Sequence, residues 1–418
     1  MSWNRIILFF ITVFFFHPGA LQAKELRVLS EDELIIQGLL YEEYRAFNRS
    51  RAIFGRLYDT TGAKVYLFRE VTASLFSKTN ISESIQRLKS WDEKHPDTLE
   101  VKRLLIPLYL TVNRVGEAKV EAEYLLERSE EVMDMELASN PFLYTGEFKR
   151  AVDLLSQVYE KTSNENVLLR MVVIMDEYTN ERTKAIQLLE SHRRMNIVSN
   201  DVYFKLLALY VKENNVDGLL DTYKVLYEQD KDEKYLNKII DAYAYKGDID
   251  GAIIFLEENK VGEDILYELY KRKKLFNKAF LLTDRLYAEK KDARWIAEKG
   301  VLLFEKSEDK NDKEMIKKVV AYFEKAIDLG VDDSIYLNYY GYTLINKEID
   351  VQKGIKIIED ALKQQPDNTY YLDSLAWGYY KENKCKEAYE MMKRVVAEEG
   401  LEEEEIIEHW NAIQKKCK

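Results

Sequence analysis

Residues 369–402 read TYYLDSLAWGYYKENKCKEAYEMMKRVVAEEGLE. Leu372, Leu375, Ala376 and Tyr379 fall on one helical stripe, and Ala388, Met392 and Val395 fall on a second. Between them, Glu382-Asn383-Lys384 has the polar character of a tight turn. Small residues at Ala376 and Ala388 let two antiparallel helices cross closely, and the larger apolar residues fill the space around that crossing. The stretch therefore predicts one helix-turn-helix unit of 34 residues.

The unit recurs along the chain. The preceding one has Leu337, Gly341 and Leu344, then Gly354, Ile358 and Ala361 with Pro366 closing it, and one residue is inserted in its turn. Ala151, Ala185, Leu219 and Ala252 mark the same small-residue position further back. Near the start, Gly38, Tyr41, Phe47, Ser50, Phe54 and Leu57 are matched 34 residues later by Thr72, Leu75, Ile81, Ser84, Leu88 and Trp91, and Val115, Ala118 and Leu125 continue that frame. A self-similar period of this length is the mark of a stacked repeat array. The pattern resembles the tetratricopeptide repeat (TPR), in which large residues at the fourth, seventh and eleventh positions bracket a small eighth. The fold class expected is all-α, a TPR-type helix-turn-helix solenoid forming a right-handed superhelix. It has about eleven repeats over residues 24–402, starting near 31, 65, 99, 132, 166, 200, 233, 260, 293, 334 and 369. The repeat starting near 233 is about a helical turn short, Ser307 to Lys313 is inserted in the turn of the one starting near 293, and Pro107 is expected to kink or break its helix.

Composition agrees with helices joined by short turns: 46% hydrophobic and 33% charged residues, but only 16 Gly and 5 Pro in 418. The net charge of -12 disfavours nucleic acid and anionic membrane surfaces as partners. At the beginning, the unbroken apolar run Ile6 to Phe16 is too short to span a bilayer and has the length of a signal-peptide core. Small residues at Gly19, Ala20 and Ala23 place cleavage after Ala23, with an uncleaved N-terminal anchor as the alternative. The absence of a nearby cysteine argues against a lipoprotein. The expected localisation is periplasmic, with residues 1–23 as a signal peptide and no stable membrane insertion after its removal.

A stacked array leaves its last apolar face bare unless something covers it. Ile406, Trp410, Ile413 and Cys417 form one stripe of a helix whose start carries Glu402 to Glu405 and whose end carries Lys415, Lys416 and Lys418, a charge order that suits the helix dipole. Residues 403–418 are expected to be a capping helix. The two cysteines, Cys385 and Cys417, lie at the start of the last repeat's second helix and the end of the cap, so they meet if those helices pack antiparallel. In an oxidising compartment they are expected to form a disulfide, the alternative being two unpaired buried thiols.

No catalytic group is expected. His17 leaves with the signal, while His95, His192 and His409 are far apart in sequence, without metal-ligand spacing, and read as surface or helix-end residues. No C-x-x-C, H-E-x-x-H or phosphate-binding glycine motif occurs, so no cofactor, metal or small-molecule substrate is expected.

The TPR resemblance implies that unused positions on the first helix of each pair face a groove where partner proteins bind. Transferring the frame gives Arg103, Arg170, Phe204, Asn237 and Asp264 at one level, and Tyr342, Trp377, Tyr380 and Lys381 near the C-terminal end. The stretch Tyr336 to Tyr342, the stretch Tyr371 to Trp377 and the late Ile407-Glu-His-Trp together resemble a bacterial family of exported TPR adaptor proteins. That resemblance implies a periplasmic scaffold or adaptor whose partners are envelope proteins, such as a processing protease or a cell-wall enzyme. Two other readings stay open: a structural component of an envelope machine such as a flagellar motor or secretion apparatus, and an enzyme with an unrecognised site.

Overall fold

A computed structural model describes residues 29–417. The expected signal segment and its cleavage point lie outside the described residues. The chain divides into two compact units, one ending at Thr222 and the other beginning at Tyr223.

Unit 1 contains α1 (Glu31–Glu43), α2 (Phe47–Thr61), α3 (Lys64–Ser77), α4 (Ile81–Asp92), α5 (Leu99–Thr111), α6 (Val115–Leu126), α7 (Val132–Tyr144), α8 (Phe148–Thr162), α9 (Glu165–Glu177), α10 (Arg182–Met195) and α11 (Asn200–Lys212). The division falls within α12 (Val216–Asp230). Unit 2 contains α13 (Glu233–Lys246), α14 (Ile249–Asn259), α15 (Glu263–Arg272), α16 (Phe276–Lys290), α17 (Arg294–Lys306), α18 (Lys313–Asp328), α19 (Ser334–Asn346), α20 (Val351–Gln364), α21 (Thr369–Lys381), α22 (Cys385–Glu399) and α23 (Glu404–Cys417). All regular structure among the described residues is helical, and within each unit neighbouring helices pack as hairpins of the tetratricopeptide type.

The small positions do what the pattern demands. Ala376 and Ala388 are both fully buried where α21 crosses α22. At the α19–α20 crossing, a Cβ added to Gly354 would lie 2.7 Å from the carbonyl oxygen of Gly341, so only glycine allows the two backbones to approach this closely. Around these crossings Ile358, Met392 and Val395 are fully buried, each worth roughly 1.5–3 kcal/mol relative to exposure. Several hairpin turns carry an asparagine in the left-handed region, Asn113, Asn180, Asn214 and Asn383 among them, a residue type that tolerates it.

Pro107 does not break its helix. α5 runs through it, because Leu105, Ile106, Leu108 and Tyr109 around it are buried and a single missing N–H removes only one ladder bond. Polar ties link successive hairpins of unit 1. Asp134 on α7 is buried and accepts from Arg103 on α5, and Asp176 on α9 is buried between Arg182 on α10 and Lys212 on α11.

Unit 2 ends at α23. Its Ile406 and Ile413 are buried in one cluster with Leu372, Ala376, Ala388, Met392 and Val395, so the helix covers the apolar face of the last hairpin. Glu404 and Glu405 occupy its first turn and Lys415 and Lys416 its last. The sulfurs of Cys385 and Cys417 are joined as a disulfide, with Cα atoms 4.9 Å apart, tying the start of α22 to the end of α23.

Candidate functional site: a cleft in the C-terminal unit

The strongest candidate site is a cleft of ≈ 500 Å³ bordered by α17, α18, α19, α21 and the first turn of α23. Side-chain oxygens cap the two helices that form its floor. Asp333 accepts from the Ile335 N–H at 2.8 Å to start α19, and Asn368 accepts from the Tyr370 N–H at 3.1 Å to start α21. These caps set Ile335 and Tyr370 at the second turn-forming position of successive first helices, where both project outward. Ile335 is 52% exposed, Tyr370 53% and Tyr339 42%, an apolar strip that no part of unit 2 covers. Phe304 on α17 is half-buried beside it.

Polar groups edge the strip. Among the described residues, Glu305 on α17 has no ion-pair partner, and Glu405 on α23 accepts a hydrogen bond from the Tyr342 hydroxyl but is paired with no cation. Asn338 has its side-chain oxygen buried with no hydrogen-bond donor. Lys347 is the cation of the rim, and its ammonium is engaged at 2.8 Å by the Asn311 side chain. Tyr339 is held above its ordinary phenol range, first by partial desolvation and then by the negative charges of Glu305, Glu298 and Glu405.

The residues expected at the groove from the repeat frame are distributed differently. Tyr342 lines the cleft. Trp377 is 9% exposed and lies under the cap: His409 stacks on it at 4.2 Å and 17°, Tyr380 at 4.8 Å and 10°, and its indole N–H donates to Asn346 at 3.2 Å. Lys381 is bound to Glu348 at 2.5 Å. Asp264 belongs to a separate recess with Trp295 and Tyr336 and is bridged to Lys290 at 2.9 Å, while Asn237 is exposed. In unit 1, Arg103 is spent on Asp134 and Glu131, and Arg170 on Asn140 at 2.7 Å and Ser139 at 3.3 Å. Burial lowers the Arg170 guanidinium, with Glu136 opposing. Phe204 is 48% exposed on α11.

The same frame, continued into the last two hairpins, reaches Asn338 and Asp373, both of which line the cleft. Tyr339, Tyr370 and Ile335 occupy positions outside that frame, and no spacing signal singled them out.

His95 is exposed and His192 lies in the last turn of α10, but two of the histidines are buried. His192 and His409 are each 2% exposed, because each finds a polar partner inside: Tyr159 at 2.9 Å for His192, and Asp373 at 2.9 and 3.0 Å for His409. The order Asp373, His409, Tyr342 has the outline of an acid–base relay. It is closed at both ends, however. Nδ1 faces Asp373, Nε2 faces the Tyr342 oxygen at 3.3 Å, and that hydroxyl already donates to Glu405, so no ring nitrogen is open to a substrate. Among the described residues, no group of three or more His, Cys, Asp or Glu is placed to hold a metal ion, and no helix is long and apolar enough to cross a membrane.

No family model and no curated protein matches this chain. Solved structures similar to it include one of Naa15/Naa10 bound to HypK-THB (13% identity over 87% of this chain and 68% of that one, TM-score 0.34). Others are the APC/C hetero-tetramer Cut9-Hcn1 (10% identity, 92% and 96%, TM-score 0.37) and the TPR domain of P58(IPK) (13% identity, 92% and 97%, TM-score 0.23).

Proposed function

We propose that this protein is a protein-binding scaffold of the bacterial envelope, and that the cleft of unit 2 holds an extended segment of a partner protein. The observation that carries this reading is the exposed strip of Ile335, Tyr339 and Tyr370 on the first helices of two successive hairpins, open to a cleft of ≈ 500 Å³. Aromatic side chains held on rigid helices bury much area for little loss of freedom, which makes them good anchors for a partner. The closed hydrogen-bond chain at His409 favours binding over chemistry at this site.

The finer assignment rests on the sequence. The apolar run Ile6 to Phe16 and the small residues up to Ala23 support export to the periplasm. The resemblance to exported adaptors supports a role in bringing envelope proteins together, such as a processing protease and a cell-wall substrate. A photo-crosslinking amino acid at Tyr370, in cells of the organism that makes the protein, tests this. An envelope protein captured there, and not at a more exposed site away from the cleft such as Tyr245, is the expected result. Exchangeable partners fit an adaptor, and one partner in fixed ratio fits a machine component. Equal capture at both sites, or none at Tyr370, overturns the cleft as the binding site.

A further inference from the structure

The cleft's chemistry limits what it can hold. Its floor is apolar, formed by Phe304, Ile335, Tyr339 and Tyr370. The charged groups of its lining are mostly carboxylates. Three carboxylates border it, of which Asp373 is satisfied by His409, while Glu305 and Glu405 are paired with no cation among the described residues. The buried Asn338 oxygen lacks a donor, although a buried acceptor without one is costly. Among the described residues, the lining cation Lys347 is already held by Asn311, and the Lys310 ammonium over the Phe304 ring is taken by the carbonyl oxygens of Phe304 and Glu305. An acidic occupant would meet Glu305 and Glu405 with like charge, and a wholly apolar one would desolvate them without compensation.

We infer that the partner segment seated here carries an arginine or lysine next to an apolar or aromatic side chain. The cation is met by Glu305 and Glu405, and the apolar side chain packs on Tyr339 and Tyr370. This deepens the reading above and rests on it. It also reverses the charge logic of a cleft built to grip a peptide carboxylate, which would need free cations on the lining helices.

A random heptapeptide display library, panned on the full chain with its disulfide intact, tests the inference. The Tyr339→Ala/Tyr370→Ala double variant serves for counter-selection and is checked for native helicity by circular dichroism. The expected winners pair Arg or Lys with an apolar neighbour. Changing that Arg or Lys to Gln weakens binding about ten-fold by fluorescence anisotropy, and Glu305→Gln in the protein weakens it about five-fold. The affinity also falls as salt is raised from about 0.05 to 0.5 M. Winners that are acidic or uncharged, or that bind the Glu305→Gln chain equally well, overturn the charge inference while leaving the cleft as a binding site. Failure to recover any sequence that the native chain retains and the tyrosine variant loses overturns both.

Discussion

The imidazole of His409 lies on the indole of Trp377, ring centroids 4.2 Å apart and planes 17° apart, while its Nδ1 is held by the buried carboxylate of Asp373 at 2.9 Å. One side chain of α23 thus makes both an aromatic and a polar contact with α21. The contact fixes where the cap sits, because both groups are nearly sealed from solvent: Asp373 is 5% exposed and His409 2%.

Removing the imidazole should therefore cost more than its area. His409→Ala leaves Asp373 buried without its partner, and a loss of about 2–4 kcal/mol from unit 2 is expected in urea unfolding. Asp373→Asn combined with His409→Ala should cost less than the sum of the two single changes, since the second removes the group that the first strands. Strict additivity in that cycle would mean the two residues act separately.

The disulfide should matter chiefly to the last hairpin and its cap. Cys385 and Cys417 are 32 residues apart in sequence, and releasing a loop of that size is expected to cost about 3–4 kcal/mol in the chain-entropy account. Hydrogen exchange with and without reductant should localise the change to residues 385–417, leaving unit 1 at its oxidised rate. Uniform acceleration along the chain would contradict this.

Glycines at two places should respond with opposite sign. Gly354→Ala puts a Cβ 2.7 Å from the Gly341 carbonyl oxygen, backbone that cannot swing aside, and overpacking of this kind costs about 1–3 kcal/mol, more than the helix propensity gained. A Cβ at Gly116, in the first turn of α6, meets nothing within 4 Å, so Gly116→Ala should be neutral or stabilising by up to about 1 kcal/mol. Thermal melts of the two variants decide the matter.

Asp176 gives unit 1 an acid-sensitive contribution. Burial alone would raise its carboxyl, but hydrogen bonds from Lys212 and Arg182, with the charges of Lys212 and Lys205, outweigh it and hold the group below its ordinary 3.8. A depressed carboxyl contributes stability that is complete above the ordinary value and is lost as pH falls through the folded one. The stability gap between the native chain and Asp176→Asn should thus be wide at pH 7 and narrow at pH 3. A gap that stays constant would show that the ion pairs contribute nothing net.

The repeating hairpin was legible in sequence because its cause is local. Ala376 against Ala388 and Gly341 against Gly354 are small for a reason that operates within one hairpin, and their spacing reports it directly. The cleft was less legible. Trp377 reads as groove-facing from its register on α21, yet α23 lies across that register and buries it, a contact between residues 32 apart that no periodicity encodes. Arg103 and Arg170 read as free guanidinium groups, whereas Asp134 on the following first helix and Asn140 on the preceding one consume them. Exposure of Tyr339 and Tyr370 depends on what fails to cover them, which is a property of three dimensions and leaves no mark on the spacing.

Glu405 belongs both to the helix that seals the last hairpin and to the wall of the cleft. Any ligand that leans on it must bind the docked form of α23 in preference to the frayed one, and the coupling runs both ways. A seated ligand would slow hydrogen exchange along the first turns of α23, and fastening those turns would tighten the grip on the ligand. That helix is then a reporter of occupancy, readable without any label in the cleft itself.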